Sequence, residues 1–289
     1  MKLCAFFPTR DIGRDPVKGR DWSQAAEDLG YASIEVPDHV FGAAPRDGWS
    51  PRYSDQDPFH EVFVTLGYLA GVTKTIELTT GVLILPQRQT GLVAKQAAEV
   101  DLLSGGRLRL GIGVGWNPVE YQALGKEWRD RGACQAEQVE VLRQLWTQDL
   151  VTYQGKFHDL RAVNITPPPI QRPIPVWFGG SSDAVIKRAA RWGDGWMPIM
   201  NPGVTAETKL ALLRSELKYH GRDEAEFGLE GWLRVDTPEP EAWASTVAHW
   251  SKLGATRVLL YPMYRMTSLD EQIGTLRRFK EVVTGYGLT

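Results

Sequence analysis

Eight strand-like apolar runs, each followed by a segment with helical spacing, alternate from one end of this chain to the other. The strands are expected at residues 3–8, 31–36, 76–85, 108–115, 174–178, 196–199, 227–235 and 257–262. The helices are expected at 21–30, 59–72, 90–104, 135–149, 183–192, 205–219, 240–253 and 269–283. Parallel strands joined by right-handed helical crossovers make a closed (β/α)8 barrel the natural solution, although an open doubly wound sheet shares the same local signature. A barrel of this kind takes about 250 residues, so one α/β domain over residues 1–289 uses the whole chain. The alternation lapses at residues 150–173, which run into Pro167-Pro168-Pro169. They read as a hairpin insertion and connector before strand five, because the alternation resumes at once.

Local signals support these elements. Asp21, with Gln24 three residues on, is a candidate N-cap for the first helix, and Gly30 is its stop. Val93, Ala97, Val100 and Leu103 share one face of the helix that ends at Ser104-Gly105-Gly106. The fourth strand is the most informative. Leu108, Leu110, Ile112 and Val114 fall on one face, and Arg109, Gly111, Gly113 and Gly115 on the other. The branched face suits the helices and the glycine face the barrel axis. Glycine weakens a strand, so three on one face ask for a reason. Either a planar ligand approaches closely, or the interior is too crowded for anything larger.

Composition narrows the function. A formal net charge of −2 gives no electrostatic case for nucleic acid or an anionic membrane. Cys4 and Cys134 are the two cysteines, too few for a disulfide framework and without metal-ligand spacing, so no metal is expected. The apolar start is too short for a signal peptide, and no run reaches the ~18–20 residues that span a bilayer. The cytoplasm is the expected location. Eleven tryptophans suit either a cavity walled by aromatics or a Trp-heavy core.

Some apparent motifs fail on inspection. Gly111-Ile112-Gly113-Val114-Gly115 is spaced GxGxG and lies inside a strand, so it is no dinucleotide fingerprint. The chain has no GxxxxGK[ST], GxSxG or HExxH, and its five histidines form no HxH pair. Three segments do converge on the C-terminal strand ends, where barrel enzymes work. Asp38-His39 follows strand two, and a histidine beside a carboxylate exchanges protons near neutral pH. Thr79-Thr80-Gly81-Val82 lies in strand three, with nothing local to distinguish it from an ordinary buried strand. Gly179-Gly180-Ser181-Ser182 precedes a helix. Its amides and hydroxyls suit a phosphate, and Ser182 equally suits a plain N-cap.

Taken together, VPDH at 36–39, TTGVLILP at 79–86, AKQAAEVDLLSGGRLRLGIGVGW at 94–116, PVWFGGSS at 175–182 and AARWGDGWMP at 189–198 resemble the luciferase-like, bacterial-luciferase/F420 oxidoreductase superfamily. The resemblance covers nearly the whole chain and implies a flavin or deazaflavin ring held above the strand ends. By resemblance, His39 is the catalytic proton donor or acceptor beside the ring, and Asp38 contacts the ring or its side chain. Thr80 borders the ring's rear support. Gly81-Val82 matches a non-proline cis peptide whose bulge provides that support. Gly113, Gly115 and Trp116 line the pocket, and Gly179, Gly180, Ser181 and Ser182 take the cofactor phosphate. The chain also departs from the sugar-phosphate and alcohol dehydrogenases of the F420 branch. Trp116 stands where they carry a glutamate, and Ala43 where they carry a tryptophan. Their catalytic set is therefore incomplete here, and their substrates do not carry over.

The expected function is F420-dependent hydride transfer to or from a small organic substrate. An FMN-dependent monooxygenase and a non-catalytic flavin- or deazaflavin-binding protein are the alternatives. Expected partners are the small-molecule substrate and a second copy of the chain, with no nucleic acid and no membrane. Specificity is expected in the loops at 40–57, 116–130 and 200–204.

Overall fold

The computed structural model describes residues 1–46, 48–235, 240–262 and 268–287. β1 (Lys2–Phe6) leads to α1 (Thr9–Ile12) and α2 (Pro16–Asp28), and β2 (Ser33–Val36) to α3 (Val62–Val72). β3 (Glu77–Thr80) and β4 (Leu83–Ile84) precede α4 (Thr90–Ser104), and β5 (Leu108–Gly113) precedes α5 (Pro118–Ala123) and α6 (Arg131–Thr147). The hairpin β6 (Val151–Gln154) and β7 (Asp159–Val163) follows. Then come β8 (Val176–Gly179), α7 (Asp183–Trp192), β9 (Gly195–Met197), α8 (Val204–Tyr219), β10 (Gly228–Val235), α9 (Pro240–Lys252), β11 (Arg257–Pro262) and α10 (Leu269–Gly285).

The sheet is a closed parallel barrel. Its order runs β1, β2, β3, β5, β8, β9, β10, β11, and β11 pairs back onto β1. β6 and β7 form a separate antiparallel pair outside the barrel, as residues 150–173 predict. The helix expected at 21–30 is α2, and its start differs from expectation. It begins at Pro16, because Asp15 accepts a hydrogen bond from Val17 N at 3.0 Å and Pro16 needs no donor at the first helical position. Asp21 therefore lies inside the helix.

The strand expected at 76–85 is two strands. The Gly81–Val82 peptide between them is cis, and the register against β5 slips by one residue between Thr79↔Arg109 and Leu83↔Ile112. This bulge accounts for the glycine face of β5. A Cβ on Gly111 would stand 2.1 Å from the Thr80 carbonyl oxygen, and one on Gly113 would stand 2.6 Å from Val82 Cγ2. On β8, a Cβ on Gly179 would meet Val82 Cγ1 at 2.6 Å. Crowding by the neighbouring strand, rather than direct contact with a ligand, thus excludes side chains at these positions. Leu108, Leu110 and Ile112 belong to the apolar core on the opposite face.

Deeper in the barrel the filling is polar. Arg109 Nε lies 2.6 Å from Glu77 Oε1, and its Nη2 lies 2.9 Å from Glu230 Oε2 and 3.6 Å from Glu35 Oε1. Arg257 forks onto both oxygens of Glu77, and Trp177 lies 4.3 Å below the Arg109 guanidinium. Burial and the adjacent Glu230 carboxylate push Glu35 well above the ordinary carboxylate range. The fold also brings ligand atoms of Cys4, Glu35 and Glu230 within 4.8 Å of one another, a grouping invisible in the cysteine spacing. Arg109 is the cation that compensates it. Most tryptophans serve packing, and Trp146, Trp196, Trp243 and Trp250 are fully buried. No helix among the described residues is long and apolar enough to cross a membrane.

Candidate active site

The end of β2 carries Pro37-Asp38-His39 to the C-terminal mouth of the barrel. The two side chains go to different tasks. Asp38 is buried, and its carboxylate accepts from Arg88 Nη2 at 2.6 Å and from the Ile84 amide at 2.9 Å. Both oxygens are engaged, so Asp38 clamps the segment that follows the bulge. The resemblance assigns it to the ring; its bonds in this structure are to Arg88 and Ile84.

His39 is held at the rim by Glu120, whose Oε2 lies 3.2 Å from His39 Nδ1. The other oxygen of Glu120 accepts from the Val40 and Phe41 amides at 2.6 and 3.1 Å. Burial works against charge on Glu120, but the His39 contact and these two amides hold its carboxyl below the ordinary range. Glu120 is therefore an anion that orients the ring of His39 through Nδ1 and turns Nε2 away. Trp116 does replace a glutamate directly after β5, yet a carboxylate four residues further on reaches the histidine. The sequence signal was Asn117-Pro118-Val119-Glu120, an N-cap with proline at the first helical position and an acid at the third. Asn117 accepts from the Val119 and Glu120 amides, which fixes the start of α5 and aims Glu120 inward.

Aromatic rings enclose His39. Phe59, Tyr53 and Trp116 lie edge-on at 4.8, 5.5 and 5.6 Å between ring centres. Trp116 thus stands at the mouth, as expected. Tyr53 and Phe59, from the loop after β2, enter the site with no motif to announce them. Tyr53 also meets Tyr261 at the end of β11, their hydroxyl oxygens 2.6 Å apart. Tyr53, Phe59 and Tyr261 border a small cleft of about 30 Å³ at the ends of β1 and β11, which Thr9, Arg10 and Asp11 also line.

The residues expected behind the ring do come together. Thr80 Oγ1 donates to Gly111 O at 2.5 Å, Gly81 lies over Glu35, and Val82 fits between Gly113 and Gly179. Gly115 adopts a φ of +67°, and a Cβ there would press on Ile84 at 2.9 Å. The loop after β8 is only partly available to an anion. Gly180 has a φ of +126°, donates its amide to Met197 O at 3.1 Å, and accepts from Trp196 Nε1 at 2.7 Å. Its N–H is therefore spent within the barrel, which corrects the expectation that it meets a phosphate. Ser182 is the N-cap of α7, accepting from Val185 N at 3.4 Å, and both serines are exposed at the start of that helix.

Outside the mouth, a second Glu–His arrangement ties the hairpin to the barrel. Glu137 accepts from the Lys156 and Phe157 amides and lies 2.8 Å from His158 Nδ1. His158 Nε2 in turn is 2.5 Å from Thr90 Oγ1 at the start of α4. A cleft of about 380 Å³ opens beside this contact, bordered by Arg88 and Lys126.

Comparison with known proteins agrees with this architecture. A Mycobacterium tuberculosis protein is 38% identical over 182 residues, which span 61% of this chain and 62% of that protein's length. An F420-dependent glucose-6-phosphate dehydrogenase from Kineococcus radiotolerans is 30% identical over 248 residues, covering 83% of this chain and 70% of the dehydrogenase. The crystal structure of the monooxygenase RslO1 from Streptomyces bottropensis superposes with a TM-score of 0.80 at 20% identity, over 99% of this chain and 100% of RslO1. The family pattern described as luciferase-like monooxygenase matches residues 2–280, and the chain belongs to that family.

Proposed function

We propose that this protein is an F420-dependent oxidoreductase whose deazaflavin ring lies at the barrel mouth, in front of Val82 and beside His39. The observation that carries the reading is the mounting of His39. Its Nδ1 is fixed by an anionic, amide-anchored Glu120, which leaves Nε2 as the nitrogen that exchanges a proton. The residues present fit such a ring. Val82 is wedged between two glycines, Trp116 stands beside His39, and the Ser181 and Ser182 amides at the start of α7 suit the cofactor's phosphate. When bound, the deazaflavin supplies or accepts the hydride. The protein orients the substrate, excludes water with the aromatic wall, and holds the proton on His39. Preference for F420 over FMN is supported by the F420-dependent dehydrogenase matched over most of the chain.

The test is titration of the apo-protein with F420 and, separately, with FMN, following cofactor fluorescence. Saturable binding of F420 at lower concentration than FMN is expected. Tight binding of FMN alone would replace this reading with a flavin-dependent monooxygenase. Replacing Gly180 by leucine should weaken F420 binding beyond any effect on folding, because a side chain at a φ of +126° displaces the loop that presents the serine amides.

A further inference from the structure

The cleft beside the hairpin is built from the start of α4, from α6 and from the loop between α5 and α6, with Phe157 and His158 bordering it from the hairpin. Its volume of about 380 Å³ gives room for a small organic molecule. Most of its charged lining is already committed. All three side-chain nitrogens of Arg88 bond to Asp38 or Glu61. Asp130 pairs with Lys156 at 2.8 Å, and His158 spans Glu137 and Thr90. Glu127 accepts from the Arg129 amide at 2.9 Å.

The groups left over are few and complementary. Lys126 belongs to no ion pair among the described residues. α4 starts without a side-chain cap at Gln89, whereas Asp15, Ser182 and Ser268 cap α2, α7 and α10. The amides of Thr90 and Gly91, which line the cleft, thus lack a partner within their own helix. The third group is an acceptor. Gln138 is 1% exposed and lines the same cleft. Its Nε2 donates to Leu85 O, Arg88 O and Thr90 Oγ1, which fixes the orientation of the carboxamide, and its Oε1 has no partner. A buried amide oxygen left unpaired is costly, and a donor on a ligand removes that cost. One cation and two amides call for a carboxylate, and the Gln138 oxygen calls for a donor beside it. Glu127 and Asp130 on the edge oppose a second negative charge, which favours a monoanion over a phosphate dianion.

We propose that this cleft binds a small 2-hydroxy carboxylate. Its carboxylate meets Lys126 and the first amides of α4, its hydroxyl donates to Gln138 Oε1, and its body lies against Phe157 and Pro86. The lining includes none of the rings around His39, so the site is separate from the mouth and does not depend on which cofactor the mouth holds.

The experiment compares mandelate with phenylacetate, which has the same ring and charge but no hydroxyl, by calorimetric titration of the full chain. Mandelate should bind saturably and about tenfold more tightly, as expected for one added hydrogen bond to a buried acceptor. K126M, checked for unchanged circular dichroism, should weaken both acids about tenfold and keep the preference for the hydroxyl. Q138M should bring mandelate down to the affinity of phenylacetate; if that variant does not fold, the two acids on wild type still decide the matter. Cys134 lines the same cleft and Cys4 is buried, so labelling by N-ethylmaleimide reports where the acid sits. Mandelate should slow labelling of Cys134, with half-protection at its Kd. No saturable binding, equal affinity for the two acids on wild type, or binding that leaves Cys134 labelling unchanged would each overturn the proposal.

Discussion

Glu120 Oε2 stands 3.2 Å from Nδ1 of His39, and the two residues come from different barrel units, the turn of helix after β5 and the end of β2. The contact turns a histidine on a loop into a fixed one. Its stability has a definite pH signature. The Glu120 carboxyl is depressed in the folded state, so its stabilisation is complete above the unfolded value of about 4.3 and fades as pH falls through the folded value. E120Q should cost about 1–3 kcal/mol near pH 7, and the difference from wild type should shrink toward pH 3. Urea unfolding at the two pH values measures this. A pH-independent difference would mean that charge on Glu120 is not what stabilises the loop.

His39→Ala should retain cofactor affinity and lose turnover by about 10²–10⁴-fold if His39 moves the proton. Fluorescence binding and single-turnover hydride transfer separate the two quantities. Turnover equal to wild type would leave His39 with a positioning role alone.

Arg88 and Asp38 form a mostly buried pair, Nη2 to Oδ1 at 2.6 Å. R88M strands the carboxylate and should cost about 3–5 kcal/mol. Adding D38N should recover part of that loss. A double-mutant cycle with no coupling would show that the ion pair is not what clamps the segment after the bulge.

The glycines of β5 should rank by what a methyl group meets. Gly111→Ala drives a Cβ to 2.1 Å from the backbone oxygen of Thr80, which cannot rotate away. Gly113→Ala meets the Val82 side chain at 2.6 Å, which can shift. Overpacking costs about 1–3 kcal/mol in typical cores, so Gly113→Ala should fall in that range and Gly111→Ala above it. Thermal melts of the two variants give the order, and a reversed order would contradict the backbone placement.

His158→Ala should loosen the hairpin without disturbing the mouth. Removing the link between Glu137 and Thr90 should cost about 1–3 kcal/mol and raise amide exchange over residues 151–163 relative to the barrel strands. Uniformly faster exchange across the chain would show that the hairpin does not open separately.

Much of the architecture is local in origin and was legible in the sequence. Alternating strand and helix periods determine a parallel α/β sheet, because each crossover is right-handed and each strand needs both faces covered; its closure into a barrel is shown by the pairing of β11 with β1. The glycine face of β5, the placement of His39 and Trp116 at strand ends, and the hairpin outside the barrel follow from the same reading. The interruption at Gly81-Val82 was visible only through family resemblance, since nothing local marks it. What the glycines accommodate was decided by tertiary structure: Thr80 and Val82 come from a neighbouring strand, and sequence spacing carries no information about which side chain fills a gap across the barrel. The same is true of Glu120, 81 positions from His39, and of Tyr53 and Tyr261, 208 apart. The Gly180 amide shows it in reverse, looking free in a Gly-Gly-Ser-Ser loop and being taken by Met197 once β9 lies alongside. Chain periodicity specifies which elements form; pairing of polar groups between elements depends on barrel closure, which alone brings distant residues within hydrogen-bonding distance.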